Sequence, residues 1–437
     1  MVGRYIAAVD RAVEATPSHR NRVVDTWRVI ALIVVVFGHW LAASVWVRTD
    51  GTVEVLNTLE WIPFAGWATW VVQVMPIFFI AGGYANARAL ERRTTDRRSW
   101  LTIRFRRLFA PAVPVILLWT LLAFVLRNVI EADLVYAGVL NATIPLWFLA
   151  VYLALVAIAP QTHVLWERFG LWSVTGLAVA VIGVDVAYRV VGVPGIGWLN
   201  LILVWGAVHQ LGYWWADRER ANAVLSPARS LGLATVGLGA LIAVTFMNLY
   251  PVAMITIPGA GPQNVTPPTF AIFLLATTQA GLILATIRPV SRWAERRRNW
   301  RFIIGVSGFM MTIYVWHLTA LSLLIAAGLF LFDGVAFSVE PGTPAWWLTR
   351  PLFYVALSSA TFLLVILFGV FERDIDTTTH HRPMPIVAFG MVATIVVLSA
   401  TAFVYLVDTE ANITWWIPAT TILASAVVGA YPARWRR

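Results

Sequence analysis

The chain has 437 residues, of which 59% are hydrophobic and 12% charged, with a formal net charge of +10. A soluble domain usually carries about a quarter charged residues, so this balance excludes an ordinary soluble domain. Cysteine and lysine are both absent, which excludes disulfides, thiol nucleophiles, cysteine metal sites, Schiff-base lysines and P-loops.

The apolar residues fall in blocks about 20 long, the length that crosses a bilayer as helix. Twelve spans are predicted, over 26–46, 66–87, 108–126, 144–162, 171–189, 196–215, 231–250, 268–287, 303–330, 351–371, 385–407 and 414–431. The class is therefore all-α, a polytopic membrane bundle. With the N-terminus inside, 28 of the 32 arginines lie on the cytoplasmic side, leaving Arg48, Arg127, Arg189 and Arg350 outside. By the positive-inside rule both termini are then cytoplasmic. Topology accounts for the basic charge, and no nucleic-acid partner is expected.

In the first span Arg28 and His39 have the spacing Arg-x10-His. That is about three helical turns and a rise of ~16 Å, so both side chains point the same way. Arg28 falls at the membrane surface and His39 near the midplane. An intramembrane imidazole is either a structural histidine bonded to a neighbouring helix or a general base, for which its ordinary pKa near 6.5 is suited. In the second span, Val74 to Tyr84 holds Pro76, Phe78, Phe79, Gly82 and Gly83. Pro76 frees a backbone carbonyl, and the glycines permit close approach of a helix or a ligand. Plain helix packing is the simpler account of each.

Arg104 and Arg107 precede the third span and lie on one side of a helix. Two guanidiniums can fork onto phosphate oxygens, or serve only topology and lipid contact. Asp185, in the fifth span, is a weak candidate for an acceptor contact. In the ninth span Tyr314 and His317 occur as Tyr-x-x-His, with His317 ~20 Å along a helix started near Ile303. His39 and His317 are thus expected at similar depth, with imidazoles within about 10 Å, facing a cavity that reaches the cytoplasmic surface past Arg104 and Arg107. Glu372 ends the tenth span, before Arg373-Asp374, and is either a site group or a charged helix terminus. No metal-ligand spacing occurs. His380-His381 reads as solvated loop, and no role is assigned to His163 or His209. Asn141, Asn264 and Asn412 each begin a glycosylation sequon, a pattern too short to carry weight.

Together these pieces resemble the membrane acyltransferase-3 family. Arg28-x10-His39 matches its first-helix motif, and Met75-Pro-x-Phe78-Phe79…Gly-Gly-Tyr84 its second helix. Arg104-x-x-Arg107 with Pro111 matches its third, Leu146-Trp147-Phe-Leu149 its fourth, and Tyr314-x-x-His317 its Tyr-x-x-His. Phe371-Glu372 resembles the glutamate ending its tenth helix, although Arg373-Asp374 stands where Lys/Arg-Pro is usual. The resemblance covers roughly residues 20–375. It implies a cytoplasmic segment over 1–25, a ten-helix acyltransferase domain over 26–375, and two additional helices over 376–437.

The resemblance also implies a function. An acyl group, acetyl in many members, passes from cytoplasmic acyl-CoA to a hydroxyl of an envelope carbohydrate or glycolipid. The protein is expected in a bacterial inner membrane, with acyl-CoA (acetyl-CoA) as donor substrate, no permanently bound cofactor, no metal, and membrane lipids as neighbours. A trehalose glycolipid such as trehalose monomycolate is one compatible acceptor. His39 would be the base, with His317 and Tyr314 stabilising the oxyanion or positioning the acceptor. Arg28, Arg104 and Arg107 would hold acyl-CoA, with Glu372, Phe78, Phe79 and Trp147 in support. The alternative is a twelve-span transporter or flippase, which predicts related halves and broken helices at matched positions; neither is visible in the sequence.

Overall fold

The computed structural model describes residues 2–18, 20–60, 62, 64–92, 97–126, 129–257, 261–373, 384–407 and 416–430. In chain order these form α1 (Val2–Glu14), α2 (Arg22–Ala42), β1 (Ala43–Val47), β2 (Val53–Asn57), α3 (Ala65–Val72), α4 (Met75–Arg92), α5 (Arg97–Phe109), α6 (Val113–Leu126), α7 (Ala132–Thr143), α8 (Leu146–Phe169), α9 (Leu171–Arg189), α10 (Asn200–Arg220), α11 (Pro227–Phe246), α12 (Phe270–Ala285), α13 (Ile287–Glu295), α14 (Arg297–Ser307), α15 (Met310–Phe330), α16 (Pro344–Phe368), α17 (Val370–Arg373), α18 (Met384–Val407) and α19 (Trp416–Val428).

Helix occupies each predicted span. Among the described residues, eight helical stretches are long and apolar enough to cross a membrane. The number is nine if α12 and α13, bent by 56° at their junction, form one span. The protein is thus a polytopic helical membrane protein. Several helices carry apolar residues on open faces, such as Leu352, Val355, Leu363 and Leu367 on α16 and Val179, Ile182 and Val186 on α9. In water such faces would drive association, whereas lipid tails match them.

The chain divides into two compact units. The first comprises Met1–Val35, Ile62–Arg93 and Ile158–Gly308. One of its closely packed helix pairs is α4 with α10. A Cβ on Gly83 would lie 1.8 Å from the His209 carbonyl oxygen, and one on Gly212 would lie 2.1 Å from that of Ile80. Only hydrogen at both positions allows this backbone approach, so packing is what Gly83 of the second span does. Phe79 stacks on Trp205 in the same layer, with centroids 4.4 Å apart. The break before α4 exposes the Gln73 carbonyl, which accepts from Gln279 Nε2 at 2.7 Å.

Asp185 ties together Asn200, Tyr250 and Phe270 in this unit. Its carboxylate accepts from Asn200 Nδ2 (2.9 Å), the Tyr250 hydroxyl (2.8 Å) and the Phe270 amide (2.8 Å). With three donors satisfied inside the protein it acts as a tie, not as an open contact for an acceptor. Burial, and then the charge of Asp185, push the Tyr250 hydroxyl above its ordinary pKa, so it remains a donor. His209 bonds Asn86 at 3.0 Å, and His163 lies against Glu167 at 3.5 Å. The segment expected over 1–25 contains helix. It forms α1, held to α14 by Tyr5 to the Gly305 carbonyl (2.6 Å), Arg301 to Asp10 (2.9 Å) and Trp300 to Thr16 (2.9 Å).

The second unit comprises Val36–Trp61, Thr94–Ala157 and Phe309–Arg437. Predicted boundaries change here, two of them around the histidines. The first span was expected to run to 46, but α2 stops at Ala42, where the chain turns into a hairpin pairing Val45 with Val55. Val45, Val47, Val53 and Val55 favour strand, and Gly51 supplies the positive φ of the turn. Thr58 closes the helix end by donating to the Leu41 carbonyl at 2.7 Å. The ninth span was expected unbroken over 303–330. It divides at Gly308 and Phe309, so the helix bearing His317 begins at Met310.

Candidate active site

His39 lies in the last turn of α2, three residues before its end. The expected midplane position assumed a helix running to 46. His317 is the eighth residue of α15, so it stands ~10 Å along that helix rather than ~20 Å. The two imidazoles meet directly: His39 Nδ1 is 2.8 Å from His317 Nε2. The ring planes are 5° from parallel and the centroids 5.1 Å apart. Two ring radii added to the nitrogen contact account for that separation, so the rings lie edge to edge along the hydrogen bond.

The outer nitrogen of the pair fixes its proton order. His317 Nδ1 is 2.6 Å from the Tyr314 carbonyl oxygen, which only accepts, so Nδ1 carries the hydrogen. In the neutral ring Nε2 is then a bare acceptor. His39 Nδ1–H must donate to it, and His39 Nε2 is left with its lone pair. His317 is fully buried, whereas His39 keeps partial exposure. Nε2 of His39 has no hydrogen-bond partner among the described residues.

Five groups hold α15 in register with this pair. Trp40, beside His39, donates from Nε1 to the His317 carbonyl at 3.1 Å. The Tyr314 hydroxyl donates to the Pro145 carbonyl at 3.1 Å. Trp119 Nε1 donates to Thr319 at 3.0 Å, and Asn141 Nδ2 to Ser322 at 3.0 Å. Glu372, on α17, caps the helix. Its carboxylate accepts from the amides of Met311 (3.0 Å) and Thr312 (2.7 Å) and from the Thr312 hydroxyl (2.7 Å). A helix start exposes unpaired amides and positive dipole, and a carboxylate answers both.

These contacts alter the expected assignments. Both nitrogens of His317 and the hydroxyl of Tyr314 are committed to protein partners, so neither group is left to receive an oxyanion. Glu372 is a cap reached across sixty residues, not a plain helix terminus. Phe148, the neighbour of Trp147, places its ring edge-on to Tyr314, with centroids 5.4 Å apart. Trp147 is half-buried beside Phe148. Arg107 is exposed, and Arg104 is half-buried with its guanidinium 5.6 Å from the Trp100 ring. Between them Arg106, which the sequence did not single out, is buried and donates from Nε to the Val428 carbonyl at 2.5 Å. Arg28, Phe78 and Phe79 belong to the first unit, where Arg28 is 4.0 Å from Asp25. The amides of Asn141 and Asn264 are used in packing, the latter to the Pro251 and Ala253 carbonyls. His380, His381, Asp374 and Asn412 lie outside the described residues.

A helical membrane protein with an imidazole pair on its first and ninth predicted spans, one nitrogen of it open, has the makings of a membrane enzyme that works by proton transfer. The family model described as "Acyltransferase domain" matches residues 21–370. The chain therefore belongs to the membrane acyltransferase-3 family, and it is a membrane acyltransferase. No curated protein and no solved structure gives a match.

Proposed function

We propose that the chain transfers an acyl group, in the first instance acetyl, from acyl-CoA to a hydroxyl of a cell-envelope carbohydrate or glycolipid. The observation that carries this is the ordered pair at His39 and His317, which leaves an unprotonated Nε2 on a half-buried ring. The acceptor hydroxyl gives its proton to His39 Nε2 as its oxygen attacks the thioester carbon. The carbon–sulfur bond breaks, and the CoA sulfur leaves with the proton from His39, so an ester and free CoA thiol result. No acyl-enzyme is needed, which suits a chain without cysteine. His317 holds His39 in the productive tautomer and shares the charge that forms on it. Tyr314, Trp40 and Glu372 position His317.

Arg104 and Arg107 are assigned to the CoA phosphates, since guanidiniums fork onto such oxygens. The protein is assigned to a bacterial inner membrane, and the split of arginines between loops supports cytoplasmic termini there, on the side where acyl-CoA is made.

The test is purified protein in liposomes with radiolabelled acetyl-CoA and an extract of envelope lipids. Wild-type protein should place label in an alkali-labile ester. His39→Ala should insert and bind CoA yet transfer less than a few per cent as much, the residue expected when the base is lost. An unlabelled extract with active donor binding overturns the proposal, as does a well-folded His39→Ala that transfers normally.

A further inference from the structure

Arg350 was expected in an outer loop, but it is the seventh residue of α16, within one of the stretches apolar enough to span the membrane. The residue is 8% exposed. Among the described residues no carboxylate pairs with it. Its guanidinium lies 4.2 Å from the Trp346 ring centroid and 4.5 Å from that of Phe353, so aromatic rings flank the cation. The edge formed by Nε and Nη2 is engaged by one hydroxyl, Thr349 Oγ1, at 3.3 and 3.1 Å. The end formed by Nη1 and Nη2 is the fork that binds a carboxylate or phosphate with two parallel hydrogen bonds. Nη1 has no partner among the described residues.

A buried cation with no carboxylate beside it is expensive, and such charges usually face a cavity or partner with a job to do. The surroundings connect it to the histidine pair within the same unit. Tyr354, one turn along α16, has its ring 5.4 Å from Phe37 and 6.5 Å from Trp40, and Trp40 bonds the His317 backbone.

We propose that Arg350 is the subsite for an oxyanion group, carboxylate or phosphate, carried by the acceptor. The inference rests on the acyl-transfer proposal and narrows it: the hydroxyl that is acylated belongs to an anionic envelope molecule. A trehalose glycolipid is neutral and would leave this fork empty. The other source of the same chemistry is the phosphate of a bilayer lipid.

The first test needs no acyl transfer. Full-length protein in phosphatidylcholine nanodiscs is titrated with methyl phosphate and with acetate while its thermal unfolding is followed. Wild-type protein should show a saturable rise in midpoint. Arg350→Gln should bind about 30-fold more weakly, and Arg350→Lys should fall between, because a point charge cannot fork. No saturable response, or an equal response in Arg350→Gln, overturns the subsite. Repeating the titration in nanodiscs containing phosphatidylglycerol separates the sources. An undiminished response supports the acceptor, and a response abolished by the anionic lipid reassigns the fork to a headgroup and overturns the acceptor assignment. In the liposome assay, envelope extract separated by charge should take label in its anionic fraction. Label only in neutral lipids would overturn the inference while leaving acyl transfer intact, whereas label in neither fraction would sink acyl transfer itself.

Discussion

Replacing His317 tests the proton order most directly. In His317→Ala the Nδ1–H of His39 loses its acceptor, a bond 2.8 Å long in the resting pair. When His39 takes the acceptor's proton this bond becomes charge-assisted, worth ~1.5–3 kcal/mol, or about 10- to 150-fold in rate. His39 also becomes free to carry its proton on Nε2, which turns the base away from its task. In His317→Gln, Oε1 falls near the former Nε2 and accepts the same N–H, keeping the tautomer while lacking the ring's capacity to share charge. We expect kcat to fall about 100-fold in the alanine variant and about tenfold in the glutamine variant, with KM for acyl-CoA changed less than about twofold. Steady-state transfer in liposomes measures both, and nitrogen chemical shifts of labelled histidine read the tautomer. Full activity in His317→Ala would refute the relay. So would equal losses in two monodisperse variants whose His39 tautomer is unchanged.

Glu372→Gln keeps the shape of the cap but removes its charge, and should lower the unfolding midpoint by about 2 °C and kcat severalfold, with Glu372→Ala worse on both; an unmoved midpoint in the alanine variant argues against the cap. Gly83→Ala should prevent accumulation of folded protein, because its Cβ would lie 1.8 Å from a carbonyl oxygen, while Gly38→Ala, with nothing within 4 Å, should be tolerated; size-exclusion profiles decide between them. Arg104→Lys and Arg107→Lys should raise KM for acetyl-CoA about tenfold and leave that for acetyl-pantetheine nearly unchanged. Equal losses with both donors would point to folding instead.

The histidine pair was legible in the sequence because two imidazoles inside apolar spans have few places to go. Their proton order was not, since it depends on a backbone carbonyl 2.6 Å from one ring nitrogen. Glu372 was visible as an acid at a helix end, but the partners of a cap reached over sixty residues are not encoded in local pattern. Trp147 and Phe148 stand side by side in one motif. About 100° of helical rotation separates their faces, and spacing alone does not say which one looks inward. Arg350 was misplaced by a boundary. Thr343 followed by Pro344 is a helix start, and Thr343 Oγ1 does accept from the Trp346 amide at 3.2 Å. Weight given to that signal would have put the arginine inside the helix. The last two helices looked like additions to a ten-helix core, yet α19 supplies the Val428 carbonyl to the buried Arg106, a contact 322 residues long.

The reach of Glu372 also sets an order in time. It follows Met311, whose amide it accepts, by sixty-one residues. A ribosome adding ~5–20 residues per second needs about 3–12 s to cover that distance. The helix carrying His317 is therefore made, and delivered to the bilayer, before the carboxylate that holds its first turn exists. A nascent chain arrested short of residue 372 already contains both histidines. It still has two amides and a hydroxyl at the head of α15 waiting for their carboxylate, so the first turn of that helix is capped only once residue 372 has been made.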